Sequence, residues 1–212
     1  KDWFAEKRVS LALIANSDPN SLYMELCAMA KLRGNPFFSQ IHSFKVEDNM
    51  VCIAMEQIKG KSLQYVMNLF PHGLPIPIVK YIGRQLAIAL LFLEEKKIVH
   101  CDISPRNIML MPDGCIKLID FGRAVMSGHK QAISEKAPLV TWAKEVRDGV
   151  MTPKSDIWSV GVTLYYLATG QYPFAEGDIN STHATLAITE LPDLNLSVVV
   201  TAALIESLEL RP

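Results

Sequence analysis

"HCDISPRN", residues 100–107, places a histidine, an aspartate and an asparagine within eight positions, directly after a long apolar stretch. Taken alone, Asp102 and Asn107 are ordinary loop residues, because Asp and Asn are default occupants of turns. The flanks decide what they do. On the N-terminal side, "PIVKYIGRQLAIALLFLEEKK" keeps helical periodicity for about five turns, with Pro75 and Pro77 near its start. On the C-terminal side, "NIMLM" and "CIKLI" read as two short strands around the hairpin signal Asp113-Gly114, and Asp120 of "DFG" ends the second. Oxygen ligands from an Asn and an Asp can hold Mg²⁺ against a polyphosphate, while a separate Asp orients and deprotonates a hydroxyl. Phosphoryl transfer needs such a set.

Further out, "WFAEKRVSL" has the texture of a strand, "IANSDPNS" punctuates, and residues 21–32 carry Leu22, Leu26, Met29 and Leu32 at helical spacing before Gly34-Asn35-Pro36 stops the run. "FFSQIHSFKVEDNMVCIAMEQI" predicts two strands around the Glu47-Asp48-Asn49 turn. Much later, "SDIWSVGVTLYYLATG" predicts a buried apolar helix, capped by Ser155 or Asp156 and stopped by Gly170. The fold class expected is therefore α+β and bilobal. Residues 1–57 form a small β-rich lobe with one key helix, and residues 58–212 a mainly α-helical lobe.

The chain has 212 residues, half of them hydrophobic, which is enough for a sizeable core. A formal charge of −1 carries no basic excess to neutralise phosphates, so no nucleic-acid partner is expected. The cysteines Cys27, Cys52, Cys101 and Cys115 are scattered singly and are expected to be buried free thiols. No apolar run is read as approaching the roughly 20 residues of a membrane span, and the charged start does not resemble a signal peptide. A cytoplasmic or nuclear protein is expected. There are no internal repeats, and the most loop-like stretch, residues 126–138, is too short for a domain linker.

"HCDISPRN", "DFGRA", "AKE" at 143–145, "SDIWSVGVTLYYLATGQYPF" and the terminal Arg211-Pro212, in that order and spacing, resemble the protein kinases. The resemblance implies the bilobal kinase fold, with ATP and Mg²⁺ as cofactors, a protein substrate and regulatory protein partners. It implies Asp102 as the base, and Asn107 and Asp120 as metal holders. His100 would be structural, Glu145 and Arg211 would form a buried ion pair, and Asp156 would brace the catalytic-loop backbone. Met55 falls at the position behind the adenine site, and Glu56, Gln57 and Ile58 fall where backbone groups bind the purine. For the phosphate-aligning lysine two stretches compete. "LALI" would put Ile14 there and predict a dead enzyme. "FAEKRV" fits an Ala-x-Lys pattern with Lys7, and Glu25 follows eighteen residues on, so we take Lys7 paired with Glu25.

Several positions depart from the family's pattern. Cys101 replaces the arginine that in many members grips an activation-loop phosphate, so activity is expected without obligatory phosphorylation there, although Ser127, Ser134 and Thr141 can still be modified. Ser104 stands where Ser/Thr kinases carry a lysine, and Arg106 is read as the catalytic cation that supplies the missing charge. Lys144 replaces the proline of the APE triplet. No G-x-G-x-x-G occurs, and the reading adopted is that the chain starts inside the small lobe, the alternative being an open-roofed nucleotide site. The resemblance leans to Ser/Thr kinases, especially the kinase-kinase-kinase branch, while Arg106 points towards tyrosine kinases. Viral and bacterial-effector lineages tolerate such drift. A pseudokinase that binds nucleotide or partners as a scaffold is the alternative, favoured by Cys101 and Ser104 and opposed by the retained Asp102, Asn107 and Asp120. A small-molecule phosphotransferase shares the Asp-to-Asn loop, but "AKE", "SDIWSVG" and Arg211 speak against it.

Overall fold

The computed structural model describes residues 4–16, 19–127, 142, 143, 146 and 149–173. Strand β1 (Phe4–Ser10) pairs antiparallel with β3 (Met50–Glu56), which pairs antiparallel on its other edge with β2 (Ile41–Glu47), giving the order β1-β3-β2. The central strand carries the apolar residues Val51, Cys52 and Ile53, all buried. Between β2 and β3, Asp48 and Asn49 both take positive φ, at 49° and 61°. That is the geometry a two-residue hairpin needs to match strand twist, and Asn and Asp adopt it at little cost.

Two helices lie between β1 and β2: α1 (Leu11–Asn16) and α2 (Pro19–Lys31). The first of them corrects the expectation that "IANSDPNS" is punctuation from its first residue. Ile14 lies in this helix and not on a strand, which removes the competing placement of the lysine. Helix α2 turns Glu25, Ala28 and Met29 inward. The chain then crosses to the other lobe's strands, where Ser39 N–H donates to Leu118 C=O at 3.0 Å and Leu118 N–H donates to Phe37 C=O at 2.7 Å.

The remaining elements are β4 (Lys61–Ser62), α3 (Leu63–Leu69), α4 (Ile76–Glu95), β5 (Ile98–Val99), β6 (Ile108–Leu110), β7 (Ile116–Leu118), β8 (Val125–Met126) and α5 (Pro153–Thr169). Strands β4, β6 and β7 form one antiparallel sheet, and β5 pairs with β8. Helix α3 is absent from the sequence reading. Its seven residues are too few for a clear period, but Ser62 caps it by accepting from Tyr65 N–H.

Among the described residues α4 is the one helix long and apolar enough, by length and composition, to cross a membrane. This corrects the reading that no run approaches that length. The apolarity has a different outlet here, since Val79, Ile82, Leu86, Ala89 and Leu93 form a buried stripe in the core, and the helix packs on α5.

The cap of α5 is a second correction. Thr152, not Ser155 or Asp156, is the N-cap; Ser155 is the reciprocal member of its capping box, and Asp156 is committed elsewhere. Gly170 ends the helix at φ 75°, so close to the preceding loop that a Cβ would fall 1.9 Å from Pro71 O. The cysteine expectation holds for Cys52 and Cys101 only. Cys27 is half-buried and Cys115 exposed, because Cys115 follows the surface turn at Asp113-Gly114. The core is continuous, running from Met29 and Phe38 in the small lobe to Phe121, Trp158 and Leu164 in the large one.

Candidate active site

The catalytic-loop residues are held from below by a buried carboxylate. Asp156, at the start of α5, accepts from His100 N–H at 2.7 Å through Oδ2 and from Cys101 N–H at 2.9 Å through Oδ1. Burial pushes its carboxyl up to about 7, against the lowering effect of those two N–H groups. The His100 ring accepts from Asp102 N–H at Nδ1 and therefore carries its proton on Nε2, which donates to Ile119 C=O at 3.2 Å. Complete burial lowers His100 to about 4, so the ring is neutral and acts as a hydrogen-bonded spacer. It packs on Phe121 at 4.7 Å between centroids, and Phe121 meets Phe38 edge-on at 6.0 Å. The phenyl ring of "DFG" is thus wedged between the lobes, which fixes Asp120 beside it.

Two non-glycine residues at this junction are held in left-handed backbone, Cys101 at φ 61° and Asp120 at φ 63°. Such conformations persist where the surroundings over-determine them. At Cys101 the two bonds to Asp156 do so, and at Asp120 the wedged Phe121 ring next to it does. The Cys101 thiol is buried, faces the Val99 carbonyl at 3.6 Å, and is pushed well above the ordinary thiol range by burial first and by Asp156 and Asp102 next.

Asp102 and Asn107 come together as their spacing predicts. Asn107 Nδ2 donates both to Asp102 O at 2.8 Å and to Asp102 Oδ2 at 2.9 Å, which closes the loop on itself. Burial raises the Asp102 carboxyl above its ordinary range, while Arg123 and the Asn107 amide pull it back. Asn107 C=O also accepts from Ile119 N–H at 2.9 Å, so the loop is tied to the strand end that carries Asp120.

At the roof, Lys7 on β1 meets Glu25 on α2 at 2.6 Å and stands 3.9 Å from Asp120 Oδ1. Glu25 is only 4% exposed, so the carboxylate is a committed partner of that ammonium. Gly122 lies against this cluster: a Cβ there would meet Asp120 Oδ1 at 3.1 Å. Lys7, Glu25, Met55, Glu56, Ile58 and Asp120 line one cleft of about 310 Å³. Gln57 does not line it and is exposed. The neighbouring Glu56 side chain is tied to Lys117 at 2.8 Å.

The sequence reading missed Ala5, Met29, Ser39, Met109 and Ile119 on the cleft walls. Only Ala5 had a signal, in the Ala-x-Lys pattern; the others are apolar or small residues that any core would use. It also missed Arg123, whose Nε lies 3.9 Å from Asp102 Oδ2. Arg106 is exposed, with no carboxylate within 4.0 Å among the described residues. Glu145, Lys144, Arg211, Ser134 and Thr141 lie outside the described residues. A larger hollow of about 540 Å³ sits between α4 and α5, lined mostly by Leu, Ile and Val. The site belongs to the smaller cleft, where the Lys7 cation meets the Glu25, Glu56 and Asp120 carboxylates; Asp102 and Asn107 do not line it and are joined to its wall by the Ile119 to Asn107 bond.

The donor set suits a hard divalent cation. The Asn107 amide uses its nitrogen for Asp102, which leaves Oδ1 available, and the Asp120 carboxylate is half-exposed towards the cleft. Among the described residues no group of three His, Cys, Asp or Glu side chains is placed to cage a metal. Mg²⁺ does not need one, since it is usually held by one or two protein oxygens plus substrate phosphates and water.

Comparison with known proteins identifies the family. A family model described as "Protein kinase domain" matches residues 1–202. Over 142 residues, 63% of the chain, it is 37% identical to mitogen-activated protein kinase kinase kinase 19 of Homo sapiens and covers 11% of that protein. Over 139 residues, 61% of the chain, it is 35% identical to serine/threonine-protein kinase D3 of Homo sapiens, covering 15% of it. A longer match, 30% over 211 residues or 98% of the chain, is to cell division control protein 7 of Schizosaccharomyces pombe, of which 20% is covered. The chain therefore spans a fifth or less of the length of these relatives.

Proposed function

Because this chain belongs to the protein kinase domain family, we propose that it transfers the γ-phosphoryl group of ATP to a protein hydroxyl, of serine or threonine before tyrosine. The observation that carries the reading is the placement of two chemical groups at adjoining places in one structure. Asp102 is held by Asn107 at the loop, and the Lys7, Glu25 and Asp120 cluster lies beyond the strand end to which that loop is bonded. The serine/threonine assignment draws on the name of serine/threonine-protein kinase D3.

In this mechanism Lys7, aimed by Glu25, binds the α and β phosphates, and the backbone between Met55 and Ile58 receives the purine. Asn107 Oδ1 and the Asp120 carboxylate would hold Mg²⁺, which when bound neutralises charge on the phosphates. Asp102 orients the acceptor hydroxyl and takes its proton. A largely buried aspartate with a raised pKa is a better proton acceptor than a solvated one. The cleft walls include the apolar side chains of Met29, Met55 and Met109.

The test is transfer from γ-labelled ATP with Mg²⁺ to a mixed protein substrate, followed by phosphoamino-acid analysis. Label is expected on serine and threonine. Phosphatase treatment of the protein beforehand is expected to leave the rate unchanged, because Cys101 is buried and brings no guanidinium to read a phosphate. A folded protein that binds ATP and transfers nothing would overturn the enzyme and make the pseudokinase scaffold the better account.

A further inference from the structure

Phosphoryl transfer gathers negative charge on the moving group, and a cation beside the base offsets it. Ser104, two residues beyond Asp102, supplies none and is buried at 7% exposure. Arg106 points to solvent. The guanidinium that does face Asp102 belongs to Arg123. Its position is well defined, because Phe121 is wedged between Phe38 and His100, and Ala124 N–H closes a turn onto Phe121 C=O at 3.0 Å. The guanidinium lies over the Trp142 ring, 5.4 Å from its centroid, and Trp142 is itself buried. An aromatic face under a half-buried guanidinium holds it in place without consuming its donors.

The approach to Asp102 is side-on, through Nε at 3.9 Å. Among the described residues no hydrogen bond engages the guanidinium, whose partners there are the Asp102 carboxylate and the Trp142 ring. We propose that Arg123 is the cation that stabilises the transferring phosphoryl group, in place of Ser104 and of Arg106. This deepens the kinase reading and rests on it. In the step, the acceptor oxygen forms a bond to the γ phosphorus while the bond from phosphorus to the β–γ bridging oxygen breaks, its electron pair leaving with ADP. The hydroxyl proton passes to the Asp102 carboxylate and then to solvent. Arg123 exchanges no proton; it donates hydrogen bonds to the non-bridging oxygens and stays charged throughout.

The experiment measures kcat and KM for ATP in the natural protein and in Arg123→Gln, Arg106→Gln and Arg123→Ala, with Arg33→Gln on the exposed turn after α2 as a remote control. Arg123→Gln is expected to lower kcat by about 10²-fold, the usual loss for one preorganised donor. KM for ATP should change little, because the interaction forms only in the transition state. Arg106→Gln should cost less, and millimolar guanidinium should restore part of kcat to Arg123→Ala but not accelerate the natural protein. A purely structural role would not produce that rescue. Retained kcat in Arg123→Gln, a loss confined to KM, an unrescued Arg123→Ala, or a greater loss in Arg106→Gln would each overturn the assignment. Absence of transfer by the natural protein would instead overturn the kinase reading itself, and this inference with it.

Discussion

Asp102→Ala is expected to lower phosphoryl transfer by about 10³-fold, within the range for loss of a positioned general base, while leaving the fold and ATP binding intact. The separation of the two effects follows from what the side chain touches. Its carboxylate accepts from Asn107 Nδ2, but that amide keeps a second acceptor in the Asp102 backbone carbonyl. Removing the carboxylate also relieves charge repulsion, because Asp120 raises Asp102 and Asp102 raises Asp156. The denaturant midpoint should therefore stay the same or rise. Asp120→Asn should lose transfer as well, but it reduces the affinity for Mg²⁺-ATP in parallel, since that carboxylate is half-exposed towards the cleft and not buried with Asp102. Rates at saturating and limiting ATP distinguish the two variants. Full transfer by Asp102→Ala would remove the base from the mechanism.

The second large effect is on stability. Asp156→Ala leaves the His100 and Cys101 N–H groups buried without acceptors, at about 1–3 kcal/mol each, so a loss of about 2–6 kcal/mol is expected. The pH dependence gives the prediction a second arm. Folding holds His100 at about 4, below its ordinary 6.5, so between those values the unfolded chain binds more protons and stability rises with pH. Asp156 sits at about 7, above its ordinary 3.8, so over that window the folded chain binds more protons and stability falls with pH. The two slopes oppose each other from about pH 4 to 6.5, and this pair leaves the natural protein nearly level there. In Asp156→Ala only the His100 slope remains, and stability should climb by about 3 kcal/mol over the window. Urea midpoints at the two ends measure it. A level profile in the variant would mean that His100 is not the buried neutral ring described above.

What was legible in the sequence was what short-range spacing or helix phase determines. Asp102 and Asn107 are five residues apart in one loop, and a loop that closes on itself brings them together whatever the rest of the chain does. Lys7 and Glu25 were found through a family pattern; the physical reason it works is that β1 and α2 both border the cleft. The failures share a cause. For Asp156 only the cap reading failed, because caps are assigned from residue type; the bracing of the loop backbone that the family pattern implied is what its side chain does, on groups more than fifty residues away. Arg123 was passed over because neither its partner Asp102 nor its platform Trp142 is near it in the chain. The apolarity of α4 was underestimated because Lys80, Arg84 and the terminal glutamates interrupt it along the chain but not along its buried stripe.

The left-handed backbone at Asp120 sets two kinds of selection against each other. Glycine would occupy that conformation with less strain, so a library of variants screened only for survival of heating would tend to enrich it there. Each such survivor would be a sturdier molecule without the carboxylate that faces Lys7. At Cys101, which shares the conformation but faces only a carbonyl, the same screen carries no such penalty. Directed evolution of this chain towards robustness therefore has to hold position 120 fixed and can let 101 vary, a distinction that burial or strain alone would not reveal.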